Sequence, residues 1–255
     1  MIVFITGAFV HHSCWDEWRH FFEQEGYPTM APPWPGKEAG AETLRNSHPN
    51  STIAGMRLAT LVDHYDRIVR ELPASPVLVG HSIGGLIVQL LLQRGLGSCG
   101  VAIHPVPPQG IFTLKFSFLK AGWGALGFFT STRKSYLMSY RTWKYAFTNG
   151  MDNDVQKEAY YRFAIPESKL VVRDTITKAA FINFENPHAP LLITSGSTDH
   201  SIPASLNRAN YKKYKKSNSV TDYRGFEGRN HFVLGQPTWK EDAGFVAEWI
   251  RKHKK

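Results

Sequence analysis

The chain has 255 residues, of which 42% are apolar and 20% charged; that composition supports one sizeable core and excludes wholesale disorder. Thirty Lys and Arg against 21 Asp and Glu leave a net charge of +9, which permits an anionic partner without specifying one. Two cysteines, Cys14 and Cys99, cannot build a disulfide framework, and neither has the spacing of a zinc site.

Residues 3–6 form a short run rich in β-branched side chains and read as a buried strand. No basic, apolar and small-residue leader stands before it, so no signal peptide is expected. Trp15, Trp18, Phe21 and Phe22 recur at helical spacing and stop at Gly26. Residues 29–34 read as a second strand that enters a proline-rich loop, and residues 53–72 as a helix ended by Pro73. Residues 76–80 form a third strand, 83–92 a buried helix and 100–104 a fourth strand. After a long interruption, a strand at 190–195, a helix at 204–214, a strand at 220–223 and a helix at 239–252 complete the pattern. Alternating strands and helices imply a mostly parallel sheet of about six strands, flanked by helices on both faces.

The interruption, residues 105–188, is rich in aromatics and in Lys and Arg. Phe112, Phe116, Leu119 and Trp123 fit a helical stripe, so the segment reads as a helical lid inserted into a core made of 1–104 and 189–255. The alternative for each aromatic is simple packing of the lid onto the core. The longest apolar stretch, 111–129, contains Lys115 and Lys120, which argues against a membrane span. A soluble, cytoplasmic protein is the expectation.

The strongest chemical signal is Gly80-His81-Ser82-Ile83-Gly84, a G-x-S-x-G with a strand before it and a helix after it. A sharp strand-to-helix turn thrusts the serine hydroxyl clear of the sheet, and small neighbours relieve the crowding. A hydroxyl needs a base to become a nucleophile. Of eleven histidines, His231 lies in the loop after the last strand, on the rim that Ser82 occupies. His81, His104 and His200 lie near that rim and are candidate pocket residues, whereas the others read as surface or capping groups. The base needs an orienting carboxylate, for which Asp199, just past the fifth strand, is preferred to Asp222 and Glu227. Asp199 falls 117 residues after Ser82 and 32 before His231, which gives the order Ser, Asp, His.

With these pieces and the segment Thr6-Gly7-Ala8-Phe9, the core of the chain resembles the α/β-hydrolase superfamily in its compact, lidded serine esterase form. The resemblance implies that the chain begins at what would be the third family strand. It also places Thr6-Gly7 where the family has His-Gly. It implies an oxyanion hole made by the backbone N–H groups of Ile83 and Ala8, with Phe9 as the runner-up to Ala8. The expected activity is cleavage of a small, apolar or aromatic carboxylic ester, with Phe9, His81, His104, Phe112, Phe116, Trp123 and His200 as candidate substrate contacts. No metal and no organic cofactor are expected. The same triad also serves C–C bond hydrolases, lactonases and lyases of this fold. A fold-retaining binding protein, and nucleic-acid or anionic-membrane binding through the positive charge, are the remaining readings; no nucleic-acid motif accompanies that charge.

Overall fold

Four strands have every residue buried: β1 (Ile2–Ile5), β3 (Val77–His81), β4 (Cys99–Ile103) and β5 (Leu191–Gly196). Such strands are apolar on both faces because helices cover both sides of the sheet. The computed structural model, which describes residues 1–254, arranges six strands in the order β2-β1-β3-β4-β5-β6, all parallel. The two edge strands differ from the rest. β2 (Thr29–Met30) is only two residues long, and β6 (Thr221–Phe226) is half exposed and carries Asp222 and Arg224. Short or charged edges discourage pairing with another chain.

The helices follow the strands in alternation: α1 (Asp16–Gln24), then α2 (Ala41–Asn46), α3 (Ser51–Ala54) and α4 (Leu58–Glu71) between β2 and β3, and α5 (Ile83–Gln93) after β3. α10 (Ala204–Tyr214) joins β5 to β6, and α11 (Trp239–His253) closes the chain. All of α5 up to Leu92 is buried, as expected for a helix that is apolar all round. It lies hard against the sheet: a Cβ on Gly84 would stand 2.0 Å from the Ile5 carbonyl oxygen, so only glycine permits the approach. Cys14 and Cys99 are both buried and unpaired.

Two sequence expectations need correction. The strand expected over 29–34 ends at Met30, because Pro32, Pro33 and Pro35 supply no ladder N–H. The helix expected over 53–72 is two helices, broken between Ala54 and Leu58. There the carboxylate of Asp174, 116 residues away, accepts the Leu58 N–H at 3.0 Å and the Arg57 guanidinium at 2.6 and 2.8 Å, starting α4 afresh.

Between β4 and β5 the chain makes α6 (Phe116–Leu126), α7 (Tyr140–Ala146), α8 (Asn153–Phe163) and α9 (Lys169–Asp174). The direction of strand addition reverses between β1 and β3. That switch point, at the carboxyl ends of the strands, is where sheets of this kind bind ligands. Gly7–Phe9 follows β1 and Ser82 follows β3, so both loops border it.

Candidate active site

β3 delivers Ser82 into the turn before α5 with φ +57° and ψ −119°, a strained region for a residue with a side chain. The strain is held by close packing: a Cβ on Gly80 would meet the Gly84 carbonyl oxygen at 2.2 Å. The Ser82 N–H donates to the Ile103 carbonyl at 3.0 Å, which ties the turn to β4. Ser82 is buried, and its Oγ lies 3.0 Å from His231 Nε2.

His231 sits in the loop between β6 and α11, which is fixed from several sides. Arg229 donates to Asp242 at 3.0 Å and to Glu241 at 2.5 Å, both on α11. The Asn230 side chain donates to the Asn149 carbonyl at 2.9 Å, and the Phe232 N–H to the Phe147 carbonyl at 2.9 Å. Phe147 also stacks edge-on against His231, with ring centroids 4.8 Å apart. His231 Nδ1 is 2.8 Å from Asp199 Oδ2, while Asp199 Oδ1 accepts the Ile202 N–H at 2.7 Å. The three residues expected to meet therefore do meet, in the line hydroxyl, imidazole, carboxylate. Asp222 is instead on β6, where it accepts from Trp249 Nε1 at 2.7 Å.

The carboxylate has a second imidazole partner. His104, at the end of β4 with φ +44°, is fully buried and places Nδ1 3.0 Å from the same Asp199 Oδ2. A carboxylate oxygen only accepts, so both imidazoles present Nδ1–H to it. Burial alone would push the Asp199 carboxyl up. Its electrostatic interaction with His231 and the hydrogen bonds from His104 and His231 outweigh that and hold the carboxyl well below the usual range. A third imidazole, His81, lies against His231 with ring centroids 4.8 Å apart and donates from Nε2 to the His231 carbonyl at 2.8 Å. Burial first, and the neighbouring His231 and His104 second, hold His81 well below its ordinary value, so it is neutral. His81 thus braces the His231 backbone, and His104 braces the Asp199 carboxylate.

His104, Asp199 and His231 also offer three donor atoms within 4.8 Å of one another, a set that could ligate a cation. Here both Nδ1 protons are committed to one carboxylate oxygen, and a metal could enter only by displacing them.

The loop after β1 abuts Ser82: a Cβ on Gly7 would stand 2.8 Å from Ser82 Cβ. Phe9, with φ +68°, donates its N–H to Glu167 Oε2 at 3.2 Å, so the runner-up oxyanion donor is already engaged. Among the described residues the amides of Ala8 and Ile83 have no protein acceptor. Glu167, just before α9, also accepts from the Ser168 N–H at 2.8 Å and from Lys37 Nζ at 2.5 Å, and both members of this ion pair are buried. Two backbone bonds add to the latch, Ile165 N–H to the Phe9 carbonyl at 3.0 Å and His11 N–H to the Phe163 carbonyl at 2.9 Å.

The remaining candidates fall elsewhere. Phe9 packs edge-on against Tyr136 and Phe147. His200 is half-buried, with Nδ1 2.9 Å from the Tyr145 carbonyl. Phe112, Phe116 and Trp123 are exposed, because α6 turns its small residues, Ala121 and Ala125, inward. Phe112 precedes the helix on which the stripe was expected to run. Sequence reasoning did not find the Lys37–Glu167 pair, Tyr136, Phe147 or the bond from His104 to Asp199. Only the last left a trace, in the position of His104 at the carboxyl end of a strand.

A parallel sheet with a strained serine at a strand-to-helix turn, opposite a histidine and an aspartate, defines the class of hydrolytic α/β folds. The chain belongs to the alpha/beta hydrolase family, whose sequence profile it matches over residues 2–243. A search of curated protein sequences returned no match. Among solved structures it is similar to the monoacylglycerol lipase of Paleococcus ferrophilus, with a TM-score of 0.68 and 21% identity over 99% of this chain and 94% of that one. It is similar to a methylesterase from Arabidopsis, with a TM-score of 0.69 and 16% identity over 98% of both chains. It is also similar to a tomato methylketone synthase variant complexed with beta-ketoheptanoate, with a TM-score of 0.71 and 14% identity over 99% of this chain and 98% of that one. At these identities the likeness is one of fold.

Proposed function

We propose that the protein is a serine hydrolase that cleaves small carboxylic esters, with Ser82 as nucleophile, His231 as general base and acid, and Asp199 as its orienting carboxylate. The observation that carries the reading is the unbroken hydrogen-bonded line from Ser82 Oγ through both His231 nitrogens to Asp199 Oδ2, at 3.0 and 2.8 Å. Ser82 Oγ attacks the ester carbonyl carbon and its proton passes to His231 Nε2. Asp199, held as a carboxylate, stabilises the imidazolium. The developing oxyanion accepts the N–H groups of Ile83 and Ala8, each worth roughly 3 kcal/mol in sites of this kind. Collapse of the tetrahedral intermediate returns the proton to the departing alkoxide. Water, activated by His231, then hydrolyses the acyl-enzyme. The engagement of Phe9 N–H with Glu167 favours Ala8 as the second donor.

In the same reading residues 105–188 are a lid over this rim. The contacts of Tyr136 and Phe147 with Phe9, and of Phe147 with His231, support that role. They also supply an aromatic wall, in keeping with an apolar or aromatic acyl group. The test is turnover of a short p-nitrophenyl ester by Ser82→Ala. A loss of roughly 10⁴-fold or more in kcat is expected, whereas undiminished turnover removes the proposal. A parallel panel of lactones and β-diketones separates ester cleavage from the other chemistries of this triad.

A further inference from the structure

One surface lies outside the candidate site. Thirteen large hydrophobic side chains of the described residues are exposed, and seven of them fall between Phe112 and Phe129. Phe112, Leu114, Phe116, Trp123, Phe128 and Phe129 show between 54% and 89% of their surface. A water-facing helix hides its apolar stripe, but α6 does the reverse: Ala121 and Ala125 face the protein while Phe116 and Trp123 face out. Seven exposed large apolar side chains within one short segment mark a surface that is covered in use.

The charge around the patch identifies the cover. From residue 72 to residue 151 the sequence contains no Asp or Glu. Within that stretch Lys115, Lys120, Arg133, Lys134, Arg141 and Lys144 are all exposed. The cations interleave with the rings: Lys120 Nζ sits 3.8 Å from the Tyr145 centroid and 5.8 Å from that of Phe116, and the Arg173 guanidinium is 5.4 Å from Phe128. Arg173 also donates to the Leu126 and Gly127 carbonyls at 2.7 and 2.5 Å, and Lys169 to the Ser131 carbonyl at 2.8 Å. These bonds hold the turn after α6 so that it presents Phe128 and Phe129. Aromatic and aliphatic tips flanked by long basic side chains match the boundary between acyl chains and anionic headgroups. A second copy of the chain fits poorly. A two-fold contact through this patch would set Lys115, Arg133 and Lys134 against their own copies, and residues 72–151 supply no carboxylate to pair with them. No helix among the described residues is long and apolar enough to cross a membrane, so the contact would be with one leaflet's surface.

We propose that residues 111–134 are an interfacial docking face that seats the protein on an anionic phospholipid bilayer. Phe112, Leu114, Phe128 and Phe129 enter the acyl boundary, and Lys115, Arg133 and Lys134 meet the phosphates. The proposal does not depend on the hydrolytic reading, since Ser82→Ala should bind as the wild type does.

The test is co-sedimentation of the full chain with phosphatidylcholine vesicles, with and without phosphatidylglycerol. Strong partitioning onto the mixed vesicles, weakened by salt, is expected. Lys115→Glu with Lys134→Glu should lower it about fivefold per residue. Leu114→Asp with Phe129→Asp should abolish it while leaving thermal stability and short-ester turnover unchanged. Three results would overturn the proposal. One is no partitioning by the wild type. Another is vesicle binding that survives the Leu114→Asp, Phe129→Asp change. The third is a stable dimer in light scattering that the same change dissociates.

Discussion

The sheet and the long segment between β4 and β5 solve opposite problems. In the sheet, four strands and α5 bury almost every side chain, and glycines at 80 and 84 allow backbone contacts that no other residue permits. The β4–β5 segment has short helices, exposed aromatics at 112–129, and buried polar ties at Glu167 and Asp174 that reach the loop after β1 and the start of α4. The contrast suggests a division of labour. The sheet fixes where Ser82, Asp199 and His231 stand, and the segment fixes the loop after β1 through Glu167. Packing density secures the first, and a small number of charges secures the second.

Each half of that contrast can be tested. The largest effect is expected at the sheet's rim. Asp199→Asn should lower kcat on a short ester by about 10⁴-fold while leaving KM nearly unchanged, because the imidazole loses its orienting acceptor. Next comes the latch. Glu167→Gln leaves Lys37 buried without its counter-charge, at a cost of roughly 3–5 kcal/mol and a fall in Tm on the order of 10 °C. Replacing both, Lys37→Met with Glu167→Leu, should recover much of that stability but not the activity, because leucine cannot accept the Phe9 N–H. Recovery of both would show that the pair is structural ballast.

A smaller effect concerns pH. His81 is held neutral, with its value in the fold well below that of the unfolded chain. The unfolded chain therefore binds more protons below the ordinary histidine value, about 6.5. The stability associated with His81 is complete above that pH and falls as the pH drops beneath it. Asp199, also depressed, adds a second loss below about pH 4. Tm measured against pH should fall from near neutrality in the wild type, and His81→Gln should flatten the upper part of that fall. The smallest effect is expected on the exposed stripe, where Leu114→Asp should change stability by no more than about 0.5 kcal/mol.

What could be read from the sequence follows the same division. The buried strands and α5 showed as continuous apolar runs, and the Ser82 turn as glycines at fixed offsets. Those signals are local. His231 and Asp199 were reachable because parallel strands put their following loops on one rim. Glu167 gave no local sign, because its partners Phe9 and Lys37 are 158 and 130 residues away. The break before α4 was hidden for the same reason, since the group that caps it is Asp174. The aromatic stripe was visible, but periodicity does not say which face of a helix meets the protein. The two alanines of α6, rather than its aromatics, took the inner side.

The central claim is that Ser82 is a nucleophile activated by His231. The most direct measurement is intact-mass detection of a fluorophosphonate adduct, located by peptide mapping. A single adduct on Ser82 that His231→Gln suppresses is expected; an unlabelled wild-type chain, or an adduct on another residue, would contradict the claim.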